Sequence, residues 1–340
     1  MKDNTSTNKI MADVIIALLP ALIFGVYNFG LNALILVLVS VLASVIGELI
    51  CGFVFRRGLT LKDLSSVVTG LIFGLLMPPY IPYWIPAIGA GFATIIVKHV
   101  FGGIGRNYVN PAATSKAIMM FVLTGYMTSF VYNGVTTPAP LIVAEGGGKI
   151  DLLQMFIGNT AGTIGETSAL ALLVGAIYLF IRKVINWRIP VVIILTVAVY
   201  ITIYTMVARG GFDGEYVLAH ILSGGLLLGA CFMATEYTTS PTTPLGQVIY
   251  AIVIGVVICS FRLFYDNLGA VVYGIVVGNL ATIVINLITV PVSFGKGGRR
   301  KAKEAEIAKE EEALEIAKER EEFEKLKAEI IENQRANLEK

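Results

Sequence analysis

Ten apolar runs dominate this sequence, at residues 12–29, 31–54, 64–78, 84–101, 111–130, 167–184, 189–208, 216–235, 246–264 and 268–291. The hydrocarbon core of a bilayer takes about 20 apolar residues per helix, and fewer where a helix is broken or re-entrant. Runs of that length in that number predict an all-α integral membrane protein with ten transmembrane helices. Composition agrees: 56% of residues are hydrophobic, only 15% are charged, and the mean hydropathy is +0.77, values far from those of soluble domains. The first run follows Lys2 and Lys9, but it lacks a small-residue cleavage site and leads directly into the second, so it reads as a retained helix.

The charges fall into two unlike parts. Residues 1–301 carry 18 Lys/Arg against 11 Asp/Glu, and residues 302–340 carry 8 against 13, so that the net +2 averages +7 and −5. The positive residues sit at the ends of apolar runs and form no stripe on a soluble face, which excludes a nucleic-acid binder. Cys51, Cys231 and Cys259 are isolated in apolar stretches and the chain has two histidines, a supply too small for a disulfide framework, a zinc site or a four-cysteine cluster. Two domains are expected: a membrane domain over residues 1–295 and a cytoplasmic charged tail over 296–340. The tail places Ile307, Leu314, Phe323, Leu326, Ile330 and Leu338 at irregular helical spacing. It reads as a solvated helix of roughly 58 Å, without the sustained seam of a coiled coil.

Short loops rich in Lys and Arg stay in the cytoplasm. With the N-terminus inside, the inner side collects Lys2, Lys9, Arg56, Arg57, Lys62, Lys98, Arg106, Lys116, Arg182, Lys183, Arg188, Lys296, Arg299, Arg300 and Lys301, and the outer side only Lys149, Arg209 and Arg262. That asymmetry predicts an even helix count with both termini cytoplasmic. The third run ends in Pro78-Pro79-Tyr80-Ile81-Pro82; proline donates no backbone bond, so the segment must be shielded by protein. Ten helices also divide into two five-helix halves in inverted orientation, as in many transporters. Two polar proline elements on the inner side, Asn110-Pro111-Ala112 and Ser240-Pro241-Thr242-Thr243-Pro244, lend that division weak support.

Ionisable groups inside a membrane are functional candidates, because each costs a few kcal/mol at the bilayer centre unless paired. Glu48 is the clearest; the bland alternative is a structural carboxylate paired with Arg56 or Lys98. His220 reads as a helix-packing residue with its polar atoms satisfied. The run Gly102, Gly103, Gly105, followed by Arg106, Asn107, Asn110 and Pro111, allows close backbone approach to a ligand or forms a plain turn. It opens no strand–helix unit, so neither a dinucleotide fold nor a phosphate loop fits. The long outer loop 131–166 contains Tyr132-Asn133-Gly134-Val135-Thr136-Thr137-Pro138-Ala139-Pro140-Leu141 and closes on Gly162-Thr163-Ile164-Gly165-Glu166-Thr167-Ser168. Loops of such length are usually functional, although Thr167 and Ser168 serve equally as helix caps, with Glu166 at the positive dipole end. The inner loop around Glu236, Thr239 and Ser240 suits a polar ligand or a partly dehydrated cation, or is simply a rigid turn. Arg262, Tyr265, Asp266 and Asn267 form an outer polar cluster.

In type and order, Gly102–Asn107 with Asn110-Pro111-Ala112, Gly165-Glu166-Thr167-Ser168, Thr238-Thr239-Ser240-Pro241 with Gly246-Gln247, and Arg262 resemble the motifs of the D-type membrane subunits of Rnf complexes. The related B-type subunit of the sodium-pumping NADH:quinone oxidoreductase is similar. The resemblance covers roughly residues 10–295 and leaves out the acidic tail. It implies a ten-helix subunit of an ion-translocating ferredoxin:NAD⁺ oxidoreductase in the bacterial cytoplasmic membrane. Such a subunit would work with the other membrane and peripheral subunits, among them flavin and iron–sulfur proteins, and would pass electrons between flavins while Na⁺ or H⁺ crosses. Two flavins are implied, an FMN esterified to a threonine of the outer loop and a riboflavin deeper in the membrane.

The implied cofactor-binding residues are Thr136, Thr137, Gly134, Gly165, Glu166, Thr167, Ser168, Asn107, Asn110, Thr239, Ser240 and Arg262, with Glu48 and Glu236 as ion-coupling candidates; no metal site is expected. The chain departs from the family at one point, because Ala139 stands where the acceptor threonine belongs. Alanine cannot form the phosphoester. Either Thr137 or Thr136 is then the acceptor, or the flavin is held without a covalent bond, or the site holds none. Within the redox-pump reading a component like the B-type subunit of the quinone-linked pump is the alternative; a urea-type solute channel, which would give much the same hydropathy, and a scaffold for catalytic partners are the others.

Overall fold

A computed structural model describes residues 7–55, 63–100, 102–103, 105–132, 134–223, 225–265 and 269–290. It is mostly helical. The helices are α1 (Thr7–Phe29), α2 (Leu31–Val54), α3 (Ser65–Leu75), α4 (Trp84–Phe92), α5 (Pro111–Val122), α6 (Thr124–Met127), α7 (Pro140–Glu145), α8 (Leu152–Ile157), α9 (Ala169–Ile181), α10 (Arg188–Ala208), α11 (Gly214–Leu222), α12 (Leu226–Leu228), α13 (Pro244–Tyr265) and α14 (Ala270–Thr289). α4 continues as a π-helix over Ala93–His99, and α12 does the same over Gly229–Met233. The one departure from all-helical character among these residues is a hairpin of two two-residue strands, β1 (Val131–Tyr132) and β2 (Val135–Thr136).

Five helices, α1, α2, α10, α13 and α14, are long and apolar enough to cross a membrane, and α11 with α12 and its π-helical continuation adds a sixth if that bent pair is one span. The remaining four predicted runs are helical but short or interrupted: α3, α4 with its π-helical end, α5 with α6, and α9. The charged tail lies outside the described residues.

Small residues set how closely these helices approach, as expected where lipid offers no hydrophobic drive to association. On α3, a Cβ at Gly70 would lie 2.7 Å from the Val41 Cα, and one at Gly74 would lie 2.9 Å from the Val37 Cα. A stripe of two glycines four residues apart therefore beds α3 against the backbone of α2. Ser44 Oγ then reaches both the Ser66 carbonyl (2.8 Å) and Thr94 Oγ1 (2.6 Å), tying α2 to α3 and to the π-helical end of α4. α1 and α9 are joined at one end by Asp13, whose carboxylate accepts from the Tyr178 hydroxyl (2.8 Å) and from Arg182 Nη2 (3.1 Å).

The proline-terminated third run is shielded as its chemistry demands. Nearly every residue of α3 is buried. The carbonyls freed at its end are satisfied from a distant segment, with the Gly165 amide donating to Leu75 O (2.8 Å) and the Ile164 amide to Met77 O (3.0 Å).

Candidate functional site

The interrupted helices meet around two groups of buried polar residues. In the first, Pro111 opens α5 and Asn110 caps it, its Oδ1 accepting from the Ala113 amide at 2.9 Å. The Asn110 Nδ2 donates to Glu236 Oε2 (2.8 Å) and to Met233 O (3.3 Å), and its backbone amide donates to Asn279 Oδ1 (2.9 Å). Glu236 also accepts from Thr238 Oγ1 (3.1 Å) and Thr239 Oγ1 (3.5 Å). Asn279 on α14 donates to the Tyr250 hydroxyl (2.8 Å), and Thr282 to Thr239 O (3.0 Å). The bonds from Asn110 to Met233, Glu236 and Asn279, with those of Asn279 to Tyr250 and of Thr282 to Thr239 O, tie the start of α5 and the segment after the π-helical α12 extension to α13 and α14, so the polar proline elements anchor broken helices to unbroken ones. Ser240 contributes its amide to Glu236 O (3.1 Å).

A cavity of about 110 Å³ opens beside this network, lined by Ser65, Lys98, Asn107, Asn110, Glu236 and Thr238 and by apolar residues of α1, α3 and α9. Lys98 is 2% exposed, and its ammonium donates to Glu48 Oε2 (2.8 Å) and Ser65 Oγ (2.6 Å). Of the two partners the sequence offered Glu48, Lys98 is the one that pairs with it; Arg56 lies outside the described residues. The glycine run forms a turn. Gly102 and Gly103 have φ of 124° and 89°, a region that only glycine enters without strain, and their amides donate to His99 O and Lys98 O. With its amide nitrogen as donor, Asn107 closes the same turn on Lys98 O (3.1 Å) and Gly103 O (3.0 Å).

The second group surrounds the Gly165 loop. A Cβ at Gly165 would lie 2.6 Å from Leu75 Cβ, which is why this position must be glycine if its amide is to reach α3. Ser168 caps α9 by accepting from the Ala171 amide at 3.2 Å. Thr167 makes no such cap; it is buried and lines a cavity of about 50 Å³. Glu166 lines the same cavity, its carboxylate lying against Gly225 at the break between α11 and α12. It is therefore directed at that break and away from the start of α9. Arg262, 1% exposed, spans the other side of the break, donating to His220 O (2.5 Å) and Ser223 O (3.1 Å). Asp266 and Asn267, expected beside it, lie outside the described residues. His220 packs edge-on to Tyr216 with ring centroids 4.5 Å apart, as a helix-packing residue should. Contrary to expectation, neither of its ring nitrogens has a hydrogen-bond partner among the described residues.

Lys116 reaches this second cavity from α5. Counting charges at the ends of apolar runs places it among the inner anchors; the structure buries it instead, 4% exposed, on the wall shared with Ala139 and Glu166. Its position within the fifth run is the signal the sequence offers, as is that of Asp13 within the first. A third, more open cavity of about 280 Å³ adjoins, lined by Thr137 and Lys149 and sharing Pro140, Met155, Thr160 and Ala161 with the second. Thr137 Oγ1 donates to Val135 O (3.1 Å), whereas Thr136 and Gly134 are exposed on the hairpin and line none of these cavities. Ala139, 8% exposed, packs with Phe130 and Ala161. Its methyl lines the cavity and offers no oxygen for an ester. Thr160, whose hydroxyl-bearing side chain borders both cavities, is a residue the motifs did not single out.

Apolar helices, several of them interrupted and knitted together by buried polar side chains around enclosed cavities, define a multi-pass helical membrane protein. The chain belongs to the NQR2, RnfD, RnfE family, whose model matches residues 1–295. It is 40% identical over 299 residues to the D-type subunit of the Na⁺-translocating ferredoxin:NAD⁺ oxidoreductase complex of Acetobacterium woodii, covering 85% of this chain and 91% of that one. Its identity to the D-type subunit of the proton-translocating ferredoxin:NAD⁺ oxidoreductase complex of Clostridium ljungdahlii is 38% over 307 residues, 85% and 92% of the two chains. To the corresponding subunit of the ion-translocating oxidoreductase complex of Stutzerimonas stutzeri it is 30% over 341 residues, 87% and 94%.

Proposed function

We propose that this chain is the flavin-carrying membrane subunit of a redox-driven ion pump of the ferredoxin:NAD⁺ oxidoreductase type, working in the bacterial cytoplasmic membrane with the other membrane, flavin and iron–sulfur subunits of its complex. A flavin accepts two electrons and releases them singly, so a chain of flavins can carry current through a bilayer while the protein sets their potentials. The observation that carries the reading is the pair of adjoining cavities beneath the 131–161 loop, where the FMN of this family is expected. Together their volumes reach the lower end of the range for small-molecule sites. Three methionines and Phe130 wall the enclosed part, a lining suited to a flat aromatic ring once those side chains move apart, because its volume of about 50 Å³ is smaller than the ring requires. Thr137 and Lys149 border the open part, where a ribityl phosphate meets a hydroxyl and a cation. An ester at position 139 does not fit. The FMN is held at Thr137 or without a covalent bond; Thr136 faces away from the cavities.

The riboflavin belongs in the cavity beside Asn110. Its 110 Å³ is smaller than a tricyclic ring requires, so occupancy entails movement of the side chains around it. Ion coupling is assigned to Glu236, which lines that cavity with Asn110 and Thr238; the charge of Glu48 is already matched by Lys98. The packing supports two inverted halves of five spans. The second span lies against the fourth in each, as α2 on α4 and α10 on α13, and the two first spans, α1 and α9, lie against each other.

The test is flavin fluorescence of the full chain after denaturing electrophoresis, in the wild type and in Thr137→Val and Thr136→Val, with a flavin assay of the denatured supernatant. Fluorescence that remains with the chain and vanishes only in Thr137→Val identifies a displaced acceptor. FMN, distinguished from riboflavin by its phosphate, in the supernatant alone identifies non-covalent binding at this site. Flavin in neither fraction overturns the reading in favour of a channel or a scaffold.

A further inference from the structure

Asp13 places a charge within the first span, where a carboxylate is expensive unless paired. The residue is buried, whereas half of the Arg182 side chain that meets it is exposed. The guanidinium therefore closes on the carboxylate from outside, with Nε 3.2 Å from Oδ1 and Nη2 3.1 Å from Oδ2, and the Tyr178 hydroxyl adds a third donor at 2.8 Å. The same end of α9 is held from a second direction. The Tyr237 hydroxyl donates to Val184 O, and Tyr237 follows Glu236 in the chain. Beside these two attachments runs a wall of the 110 Å³ cavity, made by Ile10, Met11 and Val14 of α1 with Leu179, Val184 and Ile185; Glu236 and Tyr237 line the same cavity.

Two backbone features mark this end of α9 as an element that moves. Lys183 has φ of 56°, the left-handed conformation that glycine usually supplies after a helix, so the turn is held against the preference of its own residue; strain of this kind recurs in switch segments. Further along the seam, a Cβ at Gly175 would run into the Ala17 carbonyl, so α1 and α9 touch there with no side chain between them. That contact is a fulcrum. α1 opens the first half of the molecule and α9 the second, which makes the Asp13–Arg182 pair a bond between halves.

Resting on the assignment of ion coupling to Glu236, we infer that residues 178–185 form a gate between the cytoplasm and the Glu236 cavity, and that the Asp13–Arg182 pair latches it shut. Rocking of one half against the other about the Ala17–Gly175 contact, the motion of inverted-repeat transporters, separates the pair and draws Val184 away from Tyr237. A latch made only in the closed state lowers the apparent affinity for the cation by the fraction of molecules that are open. Weakening the latch raises it.

Cys231 reports on the gate, because it is buried and lines the same cavity, whereas Cys51 and Cys259, also buried, line none of the three cavities. The experiment follows, by mass spectrometry of the cysteine peptides, the rate at which a small quaternary-ammonium methanethiosulfonate modifies each of the three in the full chain purified in detergent, as wild type, Asp13→Asn and Arg182→Gln. The expected result is modification of Cys231 about tenfold faster in both variants as the open fraction rises, with Cys51 and Cys259 unchanged. Cys231 reacting at the wild-type rate overturns the gate and leaves the ion reading intact. Equal acceleration of all three cysteines shows that the pair is a brace for the whole fold, and overturns the gate as well. In proteoliposomes of the whole complex, with Na⁺ varied at fixed pH and pH varied at fixed Na⁺, Asp13→Asn is expected to lower the concentration of the coupling cation at half-maximal transport about threefold. Selective exposure of Cys231 without that shift overturns the assignment of the cavity to the ion, and the function of the gate with it. The wild-type complex supplies a check that needs no variant: Cys231 is modified faster during turnover with reduced ferredoxin and NAD⁺ than at rest, and equal rates overturn the inference.

Discussion

Glu48 and Lys98, each 2% exposed and 2.8 Å apart, show what a single residue contributes inside this protein. Neither could be buried alone. Removing one partner of such a pair leaves an uncompensated charge and costs about 3–5 kcal/mol, while replacing both by apolar groups is close to neutral. Glu48→Gln is therefore expected to lower the thermal unfolding midpoint in detergent, and Glu48→Leu with Lys98→Met to restore most of it. In proteoliposomes of the whole complex, Glu236→Gln is expected to separate ion transport from electron flow; the restored Glu48/Lys98 double variant stays coupled. Loss of coupling in that double variant would move the ion-binding role to Glu48. Residue type and position make Glu48 legible, since a carboxylate in an apolar run must find a partner. The same kind of reasoning misplaces Lys116. It lies near one end of its run, where a lysine usually anchors to headgroups, and only the fold shows that α5 buries Lys116 on the wall of the cavity beside Ala139.

At the scale of elements, the broken helices and the segments that complete them form one unit. α3 stops at Leu75 because the prolines that follow cannot continue its bonds, and its last carbonyls are met by the loop holding Gly165 and Glu166. The close approach tolerates no side chain. Gly165→Ala brings a Cβ within 2.6 Å of Leu75 Cβ, and overpacking of this kind costs about 1–3 kcal/mol. The expected outcome is a lower unfolding midpoint and faster limited proteolysis in the 131–166 loop, with the unbroken α13 and α14 still resistant; wild-type behaviour in both assays would show that the loop is free to shift. The need for shielding is readable from Pro78, Pro79 and Pro82. What shields the end is not, because 90 residues separate Leu75 from Gly165 and no local pattern links them. The capping role of Ser168 is legible from its place before an apolar run, whereas the direction of Glu166 depends on the break at Gly225.

For the molecule as a whole, the loop charges predict an even number of spans with both ends on the cytoplasmic side. Lys98 and Lys116 on the inner side and Arg262 on the outer are buried and leave that count, taking it from fifteen against three to thirteen against two, and the asymmetry stands. The native cysteines are buried, so single introduced cysteines report topology cleanly. Gly147→Cys is expected to react with a membrane-impermeant thiol reagent added to intact cells, and Ala302→Cys only after the membrane is opened. Reaction of both in intact cells would break the even count.

Four properties of this protein are written in its residues without reference to any fold: the solvent it lives in, its helical character, its family and the existence of segments that cannot stand alone in lipid. Each follows from local chemistry: apolar length, motifs of a few residues, proline without a donor, and charge that avoids hydrocarbon. Which buried groups meet is a matter of tertiary packing. Lys98 selects Glu48, Asn110 reaches Glu236, Arg262 bridges the break after Ser223, and Lys116 comes to share a wall with Ala139. Those choices belong to contacts between segments far apart in the chain, where a glycine's missing side chain or a helix's early stop fixes a distance to within an ångström and periodicity carries no record of it.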